Sequence, residues 1–170
     1  MRIAITDACI FIDLILIRLT SEFFGLPFEI HTSLDVYNEL YPEQQELLKA
    51  YMSIGKLCTH NITEEERTQI KNSGFPRSLS DIDMSVLYLA NKFDAMVLSS
   101  DKAVRNCAKA RSIEYHGMLW IFDRLVESDS ISGNDAIEKL KLLQSGNILY
   151  RDSSEINDEI EKRIEKWQFL

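Results

Sequence analysis

Short runs of β-branched and apolar residues alternate five times along this chain with stretches whose apolar residues recur at helical spacing. That alternation points to an α/β protein, because parallel strands must be joined by crossovers, usually helices, whereas antiparallel strands can turn back directly. The predicted strands are Arg2 to Thr6, Phe28 to His31, Leu57 to His60, Ala95 to Ser99 and Ile113 to Tyr115. Between them, helical periodicity runs through Ile10, Leu14, Ile17 and Phe23 until Gly25 and Pro27 break it. Ser33 is placed to cap a helix ending at Leu40, and Pro42 to open another that reaches about Ser53. Thr63 and Glu66 read as a capping box, Ser80 caps the clearest helix, with Val86, Leu87 and Ala90 on one face, and helices are also expected at Lys102 to Ala110 and Met118 to Val126. Beyond the polar break from Ser128 to Gly133 the alternation stops, leaving two amphipathic helices around Ala136, Ile137, Leu140 and Leu143 and around Ile156, Ile160, Ile164 and Trp167. The expected organisation is a domain over residues 1–128 and a C-terminal helical extension, residues 129–170, packed on it.

Composition narrows the functional classes. With 45% hydrophobic residues, 6 Gly and 3 Pro, the chain is that of a globular protein, neither disordered nor fibrous. Its formal net charge of −8 excludes a basic nucleic-acid-binding module, so a nucleic acid would have to be met by a local patch. Cys9, Cys58 and Cys107 are odd in number, far apart and without a C-x-x-C pair, and read as reduced thiols of a cytoplasmic protein rather than disulfides or a zinc cluster. The apolar stretch from Met1 to Ile17 is interrupted by Asp7 and Asp13 and closed by Arg18, and falls short of the roughly 20 residues of a membrane span.

Phosphate-cradling motifs of the G-x-G-x-x-G and G-x-x-x-x-G-K-[ST] types are missing, as is a G-x-S-x-G elbow. Acids remain. Asp7 directly follows the first predicted strand and Asp101 comes just after the fourth, which puts both at the carboxyl edge where open parallel sheets bind ligands. Asp83, in the first turn of the Ser80 helix, and Glu39, near the end of the Ser33 helix, can reach the same edge. Four converging carboxylates would raise one another's pKa values unless a cation sat among them, and a hard divalent ion such as Mg²⁺ or Mn²⁺ needs only oxygen ligands. Singly, each acid also has a plainer role: Asp7 and Asp101 as helix caps, Asp83 as the reciprocal partner of Ser80, Glu39 as a solvated charge. Asp35 lies four residues before Glu39 on one helix face, a like-charge pair that costs about 0.2–0.5 kcal/mol.

Four blocks in order carry a resemblance: Ile3-Ala4-Ile5-Thr6-Asp7-Ala8-Cys9-Ile10-Phe11-Ile12-Asp13-Leu14, Val36-Tyr37-Asn38-Glu39-Leu40, Leu79-Ser80-Asp81-Ile82-Asp83-Met84-Ser85-Val86-Leu87-Tyr88-Leu89-Ala90, and Val97-Leu98-Ser99-Ser100-Asp101-Lys102 followed by Ala108. Over about residues 3–125 the chain resembles the PIN domain, a metal-dependent nuclease fold. The resemblance implies a three-layer α/β/α architecture with a central, mainly parallel sheet. It implies Asp7, Glu39, Asp83 and Asp101 as catalytic metal ligands for Mg²⁺ or Mn²⁺, with Ser99 in support and Asp81 as the competitor for the place of Asp83. Cys9 stands where many members have Ser, Thr or Asn, and Ala103 where some carry a further acid. The implied activity is an endoribonuclease, with RNA as substrate, and the implied role is the toxin of a toxin-antitoxin pair, with an antitoxin protein and a second copy of the chain as partners.

From Lys92 to Arg111 the chain carries five cations against two acids, a local balance of +3. Lys102, Arg105 and Lys109 share one helix face, opposite Val104, Cys107 and Ala108, and would form an RNA-tracking stripe or an ordinary solvated face. His31, His60 and His116 lie at predicted strand ends and read as structural or surface residues. An alternative function is a catalytically degenerate PIN-like interaction protein acting through its C-terminal helices; a phosphoacceptor domain using Asp7 or Asp101 fits less well, since Asp7 stands alone after its strand.

Overall fold

A computed structural model describes residues 1–170. Its strands are β1 (Arg2–Thr6), β2 (Phe28–Ser33), β3 (Leu57–His60), β4 (Met96–Leu98) and β5 (Tyr115–His116). They form one sheet in the order β3-β2-β1-β4-β5, and every pairing is parallel. The fold class is three-layer α/β/α, as the alternation of periodicities and the family resemblance both imply. Strand order reverses where β1 meets β4, and crevices outside the carboxyl ends of strands at such a reversal are where these sheets hold ligands.

The helices are α1 (Ala8–Leu16), α2 (Thr20–Phe24), α3 (Leu34–Glu39), α4 (Pro42–Ser53), α5 (Glu64–Lys71), α6 (Asp81–Lys92), α7 (Lys102–Ala110), α8 (Met118–Glu127), α9 (Gly133–Gly146), α10 (Ile148–Asp152) and α11 (Ser154–Trp167). Contacts divide the chain into two compact units, one of residues 1–12 and 27–118, the other of residues 13–26 and 119–170.

The first unit holds the sheet with α3 to α7. Helix α6 packs on β1, β2 and β4 and buries Val86, Leu87, Leu89 and Ala90, and the strands bury Ala4, Ile5 and Val97 in the same core. Each large aliphatic side chain buried in this way contributes about 1.5–3 kcal/mol. Ser80 and Asp83 start α6 as a reciprocal capping box, which removes two of the unpaired N–H groups at a helix start. Ser33 caps α3 through the Val36 N–H, and its hydroxyl also accepts a 2.7 Å hydrogen bond from Ser85 of α6.

In the second unit, α11 contacts α9 and α10 and buries Ile160 and Trp167, with Trp167 6.0 Å from the Phe122 ring. Asp13 is buried there and accepts hydrogen bonds from Asn147 and Tyr150, and burial pushes its carboxyl pKa up.

Several boundaries differ from the sequence expectation. The single helical run expected after β1 is split, because Arg18 turns left-handed at φ 58° and the Leu19 N–H closes back on the Leu14 carbonyl. The same closure, without glycine, ends α7: Ser112 takes φ 55° and the Ile113 N–H bonds the Ala108 carbonyl. Ile113 is thereby used as a helix stop, so β5 begins at Tyr115, later than expected. Strand β2 runs on to Ser33, which leaves His31 inside the strand rather than at its end. Helix α10 was not expected; at five residues it is too short to show a period.

Candidate active site

Asp7, Glu39, Asp83 and Asp101 all line one open cleft of about 390 Å³, together with Cys9, Tyr41 and Gln44 among others. Asp81, the competitor for Asp83, is exposed and does not line it. Each acid comes from a different part of the fold. Asp7 follows β1, where its own N–H continues the sheet by bonding the Leu98 carbonyl of β4 at 2.9 Å. Asp101 follows β4 by three residues, Glu39 ends α3, and Asp83 lies in the first turn of α6.

Asp7 is the buried member, at 5% exposure. Its Oδ1 accepts from the Ala8 N–H at 2.8 Å and its Oδ2 from the Ser99 hydroxyl at 2.8 Å. Burial nevertheless pushes its pKa from 3.8 up to about 6, and the negative charges of Asp83 and Asp101 add to the rise. Ser99, itself fully buried, accepts the Asp101 N–H at 3.1 Å while donating to Asp7, so one hydroxyl positions both strand-end acids. Cys9 sits beside this link, its Sγ 3.7 Å from both Asp7 Oδ2 and Ser99 Oγ, and it accepts the Ser100 N–H at 3.3 Å. A thiol fills the position with a weaker hydrogen-bonding group than a hydroxyl or amide would.

The plainer roles of two acids are also realised. Asp83 Oδ2 accepts the Ser80 N–H and Asp101 Oδ1 accepts the Val104 N–H, each using one carboxylate oxygen. Capping and lining the cleft are compatible, since a carboxylate has two oxygens and about four lone-pair directions. The donor set suits a hard divalent cation: all oxygen, rich in negative charge, and built around a carboxylate that its surroundings penalise when ionised. The four carboxylates share the cleft without closing on a common point. The three ligand-type atoms that do lie within 4.8 Å of one another belong to His31, Cys58 and His60, outside the cleft.

Lys102, Arg105 and Lys109 are exposed along α7, while Val104, Cys107 and Ala108 are buried beneath them. Arg105 lies over the Tyr115 ring at 5.4 Å. Tyr41 and Gln44 of the cleft escaped the sequence reading; the Tyr41-Pro42 helix start was the local signal that could have drawn attention to them, since Gln44 Oε1 accepts the Tyr41 N–H there.

Residues 3–166 match the model of a family described as a PIN domain, and the chain belongs to that family. At the level of the family this makes it a nuclease-type hydrolase of a kind that generally uses divalent metal ions. No curated protein matches the chain. Among solved structures it is similar to a domain of a functionally unknown protein from Methanocaldococcus jannaschii DSM 2661, with 22% identity and a TM-score of 0.48 over 69% of this chain and 91% of that one. No helix is long and apolar enough to cross a membrane.

Proposed function

We propose that this protein is a divalent-metal-dependent endoribonuclease whose catalytic ligands are Asp7, Glu39, Asp83 and Asp101. The observation that carries the reading is that four carboxylates from four separate segments line one cleft at the reversal of strand order, with the buried Asp7 among them. Mg²⁺ or Mn²⁺ held by these acids would supply Lewis-acid activation of the scissile phosphate and a water of lowered pKa.

The chain's own residues do the rest. Ser99 keeps the Asp7 carboxylate and the Asp101 backbone in fixed relation, so the acids are arranged before any ion arrives. Asp83 and Asp101 are held at the first turns of α6 and α7 by their capping hydrogen bonds, which limits the rotamers they lose on binding. Lys102, Arg105 and Lys109 offer a row of cations to the phosphates of a single strand, beginning next to Asp101. No histidine lines the cleft, so the leaving oxygen takes its proton from solvent. As a −8 protein with an open acidic cleft, it suits inhibition by a basic protein segment, the arrangement expected of the toxin half of a toxin-antitoxin pair.

Purified protein is expected to cut single-stranded RNA when Mn²⁺ is added and to lose that activity on Asp7→Asn. An unchanged cleavage rate in the variant would remove the proposal.

A further inference from the structure

Parallel pairing of β2 and β3 sets His31 directly opposite Cys58 and Ser33 opposite His60. Side chains alternate along a strand, so Cys58 and His60, two apart, leave the same face of β3, and in-register neighbours on β2 share that face. The result is a compact group: His60 Nε2 lies 2.9 Å from His31 Nδ1, and the ligand-type atoms of His31, Cys58 and His60 all fall within 4.8 Å of one another. From this geometry we infer a second metal site, in which His31, Cys58 and His60 bind one Zn²⁺ ion and leave its fourth position to water.

Two imidazoles and a thiolate are the donors that zinc prefers over the hard ions suited to an all-carboxylate cleft. Tetrahedral ligation with bonds of about 2.0–2.3 Å places donor atoms about 3.3–3.6 Å apart, and the present spacings, from 2.9 Å to at most 4.8 Å, depart from that by roughly 0.5–1.5 Å. The surroundings are those of a supported site. Phe93 packs against both rings, its centroid 4.7 Å from that of His60 and 5.8 Å from that of His31, which restricts how they turn. The far nitrogen of His31, Nε2, lies 3.6 Å from Glu29, an outer carboxylate of the sort that orients ligating histidines. Burial lowers the pKa of both rings, which keeps their lone pairs available. Lys92 near His60 opposes a cation there, while Glu66 and the thiolate formed when Cys58 loses its proton to solvent favour one.

β3 is an edge strand, and Cys58 is exposed on it. An exposed thiol on a sheet edge is a feature that surfaces usually avoid, and a ligand role accounts for it where a stacked histidine pair alone would not. Bound zinc would clamp the edge strand to β2 and leave an open coordination position facing solvent.

The test uses the full, untagged chain after chelator treatment, with Co²⁺ as the spectroscopic substitute for Zn²⁺. One equivalent of Co²⁺ is expected to give intense tetrahedral visible bands with a near-ultraviolet thiolate charge-transfer band, both removed by one equivalent of Zn²⁺. Cys58→Ser, at an exposed position, should abolish the charge-transfer band, and His31→Ala and His60→Asn should each weaken Zn²⁺ binding at least tenfold with far-ultraviolet circular dichroism unchanged. Asp7→Asn should retain the band, which separates this site from the acidic cleft. No charge-transfer band in the unaltered protein, a band that survives Cys58→Ser, or one that disappears in Asp7→Asn would each overturn the inference.

Discussion

The acidic cleft and the His31, Cys58 and His60 group lie in the same compact unit and differ in how they are built. In the cleft, the acids occupy the ends of elements, and three of them are tied to backbone N–H groups within three residues of themselves. In the other group, two strands paired at an offset of 27 residues contribute side chains from their interior and end, and the register of pairing brings them together. The first kind of site is assembled by local rules and the second by tertiary pairing, and the ions they suit divide the same way, hard at the carboxylates and borderline-soft at the nitrogens and sulfur.

The largest effect should come from Asp7. A metal centre is worth several kcal/mol of transition-state stabilisation, and each 1.36 kcal/mol is tenfold in rate. Asp7→Asn should therefore lower Mn²⁺-supported RNA cleavage by roughly a thousandfold in initial-rate assays. If Zn²⁺ at the histidine group, rather than an ion in the cleft, supported cleavage, this variant would keep its rate and the contrast would break.

Next in size is the stability of the metal-free protein. The folded-state pKa of Asp7 is raised from 3.8 to about 6, so the folded state holds this proton more tightly than the unfolded one. Stability from this group is full below about pH 4, is lost as pH rises through 6, and stays lost above it, by about 3 kcal/mol. Asp7→Asn should accordingly melt higher than the unaltered protein at pH 7.5, by roughly 5–10 °C, and show little difference at pH 4. Mn²⁺ should close the gap at pH 7.5 by binding only the protein that keeps the carboxylate.

Ser99→Ala removes the donor to Asp7 and the acceptor for the Asp101 N–H together. A partner of this kind typically affects metal affinity by about 10–100-fold, so half-maximal activity should need that much more Mn²⁺ while the rate at saturation largely recovers. The smallest effect is expected from replacing Lys102, Arg105 and Lys109 with Ala. RNA KM should rise about tenfold with kcat unchanged, and the slope of log affinity against log salt should flatten by about 2, the value for three phosphate contacts on a single strand.

The fold was legible to the extent that it is written locally. Short apolar runs marked β1 and β4, Ser33 and Ser80 marked helix starts, and Pro42 opened α4 in the predicted place. The break at Arg18, made without glycine, was not legible, although the helix end at Ala110 and the break after Ser128 were expected in place. Arg18, Asp94, Ser112 and Asp129 all take positive φ, a conformation that nothing in the type of an arginine or serine announces. The cleft acids could be proposed because strand ends of a parallel sheet face its ligand edge, and Asp83 because a capping box fixes its place in the first turn. The hydroxyl of Ser99 joining two acids, and the meeting of His31 with Cys58 and His60, depend on distances between segments that periodicity does not carry. The three cysteines are scattered along the chain, and what spacing along the chain does not carry is that Cys58 alone meets two histidines across the sheet.

The direct measurement is anomalous scattering from a crystal of the protein soaked in Mn²⁺. Manganese density in the cleft, within about 2.0–2.6 Å of carboxylate oxygens of Asp7 and at least two of Glu39, Asp83 and Asp101, is the expected result. Manganese absent from the cleft, or bound instead by His31, Cys58 and His60, would contradict it.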